Sequence, residues 1–183
     1  MQVAIQPSSP AKFESDFWGA STVSSLRLER GLLCDVAGRT MSLGIEMLRD
    51  VLPIQAVAML PGTPPWVLGL TSVRGTVVGV VDLARYLGLT NASAIGNWQD
   101  GSATAARLLV CSDGQRTLAL AVNSTYGVVD FAPSDVQALV GLPGTLGRFA
   151  TGLLFASSYG PEAHGAVLLD VRRLLRDDEL VGR

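Results

Sequence analysis

"LLVCSDGQRTLALAV", residues 108–122, reads as an apolar strand, a Ser-Asp-Gly-Gln turn and a second apolar strand. A second stretch, "LLCDVAGRTMSLGI" (32–45), has the same form with its turn at Gly38, and Arg39-Thr40 aligns with Arg116-Thr117 at an offset of 77. The likeness continues downstream, where "LPGTPPWVLGL" (60–70) has a counterpart in "LPGTLGRFATGLL" (142–154). Each copy then runs into an apolar strand that ends in Asp, "TVVGVVDLARYL" (76–87) against "GAVLLDVRRLL" (165–175). Asp82 and Asp170 lie 88 apart, and each is placed to cap a short helix by accepting free N–H groups of its first turn. Between the copies' later parts, "DFAPSDVQALVGLPG" (130–144) predicts a further short helix, starting near Ser134 or Asp135 and ending before Pro143.

A duplicated unit of about 75 residues buries too little apolar surface to stand alone, so the two copies are expected to pack face to face over a common layer. The apolar runs are short and rich in Val, Leu and Thr, which favours mostly antiparallel strands curled into small barrels. The expected fold is all-β with short helices. Residues 1–28, Ser-rich with Pro7 and Pro10, read as a flexible tail, and "DFWG" within them as either a docking motif or a segment packed on the body. Residues 29–183 read as one domain of two intertwined β subdomains, the first with its core at about 40–90, the second at about 108–170, with a short C-terminal helix at 171–180.

The chain of 183 residues is 48% hydrophobic and only 16% charged, where a typical soluble domain is about 25% charged, a hint of surface reserved for partners. Its net charge of −2 provides no general basic field, so nucleic acid is not an expected partner. No uninterrupted apolar run reaches the roughly 18 residues of a membrane span, and no signal peptide opens the chain, which points to the cytoplasm. Cys34 and Cys111 read as buried or inert thiols, and His164, the single histidine, as a solvated loop residue. There is no GxGxxG at a strand-to-helix junction, no phosphate loop with Lys and no nucleophile elbow. Asp177-Asp178 reads as a solvated helix end. No catalytic residue, metal ligand or cofactor is therefore assigned. A small-molecule or enzymatic site between the repeats stands as the alternative to a protein-binding module.

"GLTSVRGTVVGVVDL" (69–83) sets one arginine in an otherwise core-like segment. Gly69 and Gly75 bracket "LTSVR", the sign of a bulge or of close backbone approach. Arg74 must then emerge at the surface or meet a carboxylate, for which Asp50 in "IEMLRDVLP" is the nearest candidate in the pattern.

The block 60–89 resembles the signature of the CheW family of bacterial chemotaxis coupling proteins, with Gly69, Arg74, Gly75, Asp82 and Leu83 on the pattern without gaps. The weaker part of the resemblance runs from about Leu32 to Leu175. Ser72 stands at the family's Asn, Gly79 at its Pro, Asp50 at its usual Glu, and Val122-Asn123 at the common Val-Asp. The resemblance implies two small five-stranded SH3-like β-barrels over a shared core. It also implies a non-catalytic adaptor in signal transduction, bridging the regulatory domain of a CheA-type histidine kinase to the cytoplasmic tip of chemoreceptors, in chemotaxis or in pilus or gliding motility. By resemblance the receptor would lie along Leu48, Asp50, Gly69 and Arg74, and the kinase along Val77, Val78, Gly79 and Val80. Localisation would be cytoplasmic, at membrane receptor arrays or rings, with no membrane insertion.

Overall fold

The computed structural model describes residues 28–89, 105–139, 141–155 and 164–180. The first hairpin is β1 (Glu29–Val36) and β2 (Arg39–Gly44), followed by β3 (Leu48–Pro53), β4 (Val67–Val73), β5 (Thr76–Asp82) and α1 (Leu83–Tyr86). The second copy provides β6 (Arg107–Ser112), β7 (Thr117–Val122), β8 (Ser124–Phe131), β9 (Val136–Ala138), α2 (Gly144–Phe149), β10 (Ala150–Phe155), β11 (His164–Leu169) and α3 (Val171–Leu175). The expected tail lies outside the described residues except for Leu28.

The two copies exchange strands. One sheet has the order β8-β1-β2-β11-β10-β9, so the first hairpin is completed by strands of the second copy; the other, β3-β6-β7-β5-β4, is the reverse. The seams are parallel, with Met41 opposite Val167 and Leu118 opposite Gly79, whereas every other strand pair is antiparallel.

Alternate residues of the central strands serve different cores, which is why these runs read as apolar throughout. In β7, Leu118, Leu120 and Val122 enter the central cluster shared by both sheets, while Ala119 and Ala121 enter a second cluster with Val73, Val78, Val80, Leu108 and Val110. In β1, Leu32, Cys34 and Val36 face the shared cluster and Leu33 faces a third one with Phe131, Leu154 and Ala166. Each curled sheet thus encloses its own small core and presents its other face to its partner sheet.

Asp82 and Asp170 cap their helices as expected, accepting from the backbone N–H of Arg85 at 3.1 Å and of Arg173 at 2.9 Å. Their own N–H groups donate to the carbonyls of Trp66 and Phe149 at 2.8 Å, so these two aromatics occupy equivalent positions. Both pack on Tyr86, with ring centroids 5.7 and 5.8 Å away, where the copies meet.

Three local expectations change. The segment after Asp130 is not a helix but a single 3₁₀ turn, Pro133–Asp135, followed by β9, because pairing of β9 with β10 satisfies the backbone there. The helix in this region is α2, eleven residues beyond Pro133. α3 ends at Leu175, short of the expected 180, since the Asp177 carboxylate turns back to accept from the N–H of Glu179 at 2.9 Å. His164 opens β11 rather than lying in a loop.

Candidate functional site

Sheet pairing places Asp50 on an outer strand and Arg74 in the turn beyond the opposite outer strand. β3 carries a bulge between Leu48 and Asp50, which leaves Arg49 unpaired and re-aims Asp50. One Asp50 oxygen, Oδ1, accepts from the N–H of Val51 at 3.0 Å, and Oδ2 accepts from Arg74 Nε and Nη2 at 2.9 and 2.8 Å. Arg74 and Gly75 form a two-residue turn with φ of 51° and 83°, the positive pair required by a tight hairpin that follows the strand twist. The arginine side chain remains 82% exposed and Asp50 18%, so the bonded guanidinium still presents itself to solvent. Leu48, two residues before Asp50, is half-buried against the shared core.

Gly69 belongs to another contact. Its φ is 138°, and an added Cβ would lie 2.1 Å from the carbonyl oxygen of Ala58. That approach lets Ala58 and Leu70 exchange backbone hydrogen bonds of 2.8 and 2.9 Å, covering part of the β4 edge. The glycine is explained by backbone approach, with no side chain to offer a partner.

The strand β5 divides the four residues assigned to the kinase. Val78 and Val80 are buried in the core of the five-stranded sheet, 3% and 0% exposed, and offer no side chain to a docking protein. Val77 is 67% exposed and Gly79 half-buried on the opposite face. Gly79 is equivalent to Val167, and a Cβ there would sit 3.3 Å from Leu118 Cδ2. Beside Val77 lies a hollow of about 540 Å³ lined by Ala56, Val57, Ala58, Leu70 and Ser72. Met59 and Leu60, next along the chain, are exposed. The sequence reading passed over this "AVAML" segment, although its apolar run is the available signal.

Around the C-terminus, Asp178 and Glu179 stay largely exposed, as a solvated helix end would be, while the Asp177 side chain is buried, and all three are paired. Arg148 pairs with Asp177 at 2.5 Å and with Glu179 at 2.7 Å, Arg116 pairs with Asp178 at 3.3 Å, and Arg176 pairs with Asp113 at 3.2 Å. Leu180 is sealed into the shared core behind them. The N–H groups of Arg116 and Gln115, with Arg176, hold the Asp113 carboxyl down at about 2. Burial pushes the Cys111 thiol up to about 12 and Cys34 higher still, so both stay protonated and unreactive at neutral pH. Among the described residues no group of three or more His, Cys, Asp or Glu is arranged to hold a metal ion. A second hollow, of about 560 Å³, has walls from both copies. Of its polar walls, Asp170 is engaged by α3 and Arg30 pairs with Asp130 at 2.8 Å.

No described helix is long and apolar enough to cross a membrane. The CheW-like domain family matches residues 30–179 of the chain. No curated protein is a match. Among solved structures, the scaffolding protein TtCheW from Thermoanaerobacter tengcongensis is similar with a TM-score of 0.66 at 14% identity, over 82% of this chain and 90% of that one. At that identity the likeness is one of fold.

Proposed function

The chain belongs to the CheW-like domain family, and on that premise we propose that it is a non-catalytic adaptor coupling chemoreceptors to a CheA-type histidine kinase in a chemosensory pathway. The observation that carries this reading is the family match over residues 30–179, which includes the whole of the Arg74 block. The Arg74–Asp50 pair adds a physical reason for the receptor side: a fixed, solvent-facing guanidinium is suited to a polar helix surface, because its geometry is set before the partner arrives. Leu48 and Asp50 flank it on β3, while Gly69 contributes by keeping the neighbouring chain close. The kinase regulatory domain would dock through Val77 and the open face at Gly79, with Val78 and Val80 supporting the strand from inside. The protein would work at the cytoplasmic face of receptor arrays.

The test is separate titration of the purified chain with a kinase regulatory domain and with a receptor cytoplasmic tip from the same cell. Binding to each, and recovery of a ternary complex, is the expected result. Binding to neither removes the coupling assignment.

A further inference from the structure

The duplication supplies an internal control for the hollow of about 560 Å³ on the six-stranded sheet. At the offset of 77, its residues Glu29, Ser42 and Gly44 correspond to Ala106, Ala119 and Ala121 of the five-stranded sheet. Thr151, skipped by the bulge before Gly152, corresponds to Leu68, skipped by the bulge before Gly69. In the five-stranded sheet the three alanines are buried and Leu68 packs against them. In the six-stranded sheet Glu29 and Thr151 are exposed and Gly44 is half-buried, so the same architecture leaves its mouth open.

The walls set the chemistry of an occupant. Leu28, Ile45, Leu168 and the buried Phe131 supply apolar surface. Ser42 is 2% exposed, and its hydroxyl has no hydrogen-bond partner among the described residues. Glu29 and Glu46 are exposed at the rim and carry no ion pair among the described residues. Such a site suits a large apolar group that carries a hydrogen-bond donor and no acceptor, which among side chains describes tryptophan.

We propose that the segment before β1 folds back on the body and seats its Phe17-Trp18 pair in this hollow, with the Trp18 indole N–H donating to the acceptors of the wall. Residues 1–27 join the described chain at Leu28, which is itself part of the wall. Phe17-Trp18 is the only adjacent pair of aromatic residues in the sequence. Trp18 lies ten residues before Leu28, a span of up to about 33 Å when extended and so long enough to double back. A tether of that length holds the rings at an effective concentration on the order of millimolar. Arg30 on the same rim is 58% exposed, and offers Asp16 a cation beside its own pair with Asp130. Other stretches of the chain are worse placed: 156–163 join β10 and β11 at Phe155 and His164, the ends away from Thr151 and Leu168, and 181–183 follow Leu180, sealed in the shared core.

Nuclear Overhauser spectroscopy of the full chain reads the contact directly, with Trp18→Ala identifying the indole signal. The wild type should show contacts from the Trp18 ring to the methyl groups of Ile45 and Leu168, and Trp18→Ala should shift both methyl signals while leaving Leu120 in the shared core unmoved. Thr151→Leu, which restores at this mouth the residue found at Leu68, should abolish the ring contacts in a chain that still folds. Should that variant fail to fold, the wild-type contacts and the Trp18→Ala shifts decide alone. A Trp18 ring without contacts to either methyl, methyl signals indifferent to Trp18→Ala, or contacts that persist in a folded Thr151→Leu chain overturns the proposal. So do contacts found only between differently labelled molecules, an outcome that assigns the hollow to the tail of a second copy.

Discussion

Asp50 and Arg74 join the two ends of the five-stranded sheet: the Oδ2 of Asp50 on β3 accepts both Nε and Nη2 of Arg74 from the turn beyond β4. The pair is a clasp across the mouth of a curled sheet whose own core lies beneath it. Because Arg74 is mostly exposed, the clasp contributes only about 0–1 kcal/mol. Alanine in place of Arg74 keeps the same positive φ and so adds no new backbone strain. Arg74→Ala should therefore melt within a few degrees of wild type, lose binding to a receptor tip and retain binding to the kinase regulatory domain. Unfolding, or loss of both partners together, would sink the groove role of Arg74.

Gly69 is the opposite case, structurally strict with no side chain to present. A methyl at this position combines a φ of 138° with a 2.1 Å clash against backbone, which cannot rotate away. Gly69→Ala should cost at least about 2 kcal/mol in urea unfolding, as strained non-glycine backbone costs about 1–3 kcal/mol before the displaced Ala58 bridge is counted. A variant that unfolds with the wild-type midpoint would show that the Ala58 segment moves freely.

The duplicated hairpins, the two capping aspartates and the Arg74–Asp50 pair were legible in the chain because each is a local pattern or a forced pairing of charge. Intertwined subdomains were expected, but which strands cross between the copies was not legible. A repeat that packs on itself and one that swaps its hairpin bury the same residues, so Leu118 and Leu120 read as apolar under either arrangement. The ion pairs of the acidic end were not legible for a related reason: Asp178 is exposed at the helix end as expected, but the Asp177 side chain is buried, and Arg148 and Arg116, which pair with them, lie far away along the second copy. Strand β5 was legible as a whole, but assigning both faces to a partner ignored the period of two that sends Val78 and Val80 inward.

The Asp113 carboxyl gives a pH signature. Its folded value of about 2 lies below the ordinary 3.8, so the charged form is favoured by folding. Its contribution is complete above 3.8 and is lost as pH falls through about 2. Asp113→Asn should thus unfold at lower urea than wild type at pH 6, with the gap closing as pH falls from 3.8 towards 2. A gap that persists unchanged at the acid end would mean that the Arg176 contact and the turn bonds do not depend on charge.

The two caps should differ in cost. Asp170→Ala removes one N-cap hydrogen bond at the surface, worth about 1 kcal/mol. Asp82 is fully buried with Arg85 Nε at 3.8 Å, so Asp82→Ala also leaves the buried Nε of a partly exposed guanidinium without its carboxylate and should cost more. Equal shifts in the urea midpoint would mean that the Arg85 pairing adds nothing to the cap.

Adjacent residues of β5 allow docking to be separated from folding. Val77 is exposed on the outer face, so Val77→Asp should leave the melting temperature within a few degrees of wild type. Val78 lies 3% exposed in the core with Val73, Leu108 and Ala119, and Val78→Asp buries an unpaired carboxylate that should prevent folding. If the kinase regulatory domain docks on this strand, Val77→Asp should abolish its binding while receptor-tip binding persists, since Arg74 and Asp50 are untouched. Gly79→Ala should act in the same direction but more weakly, because its methyl needs only a small shift of the flexible Leu118 side chain. Calorimetric titration of both variants against each partner decides it: full kinase binding by a folded Val77→Asp would remove β5 from the docking surface and leave the strand a purely structural one.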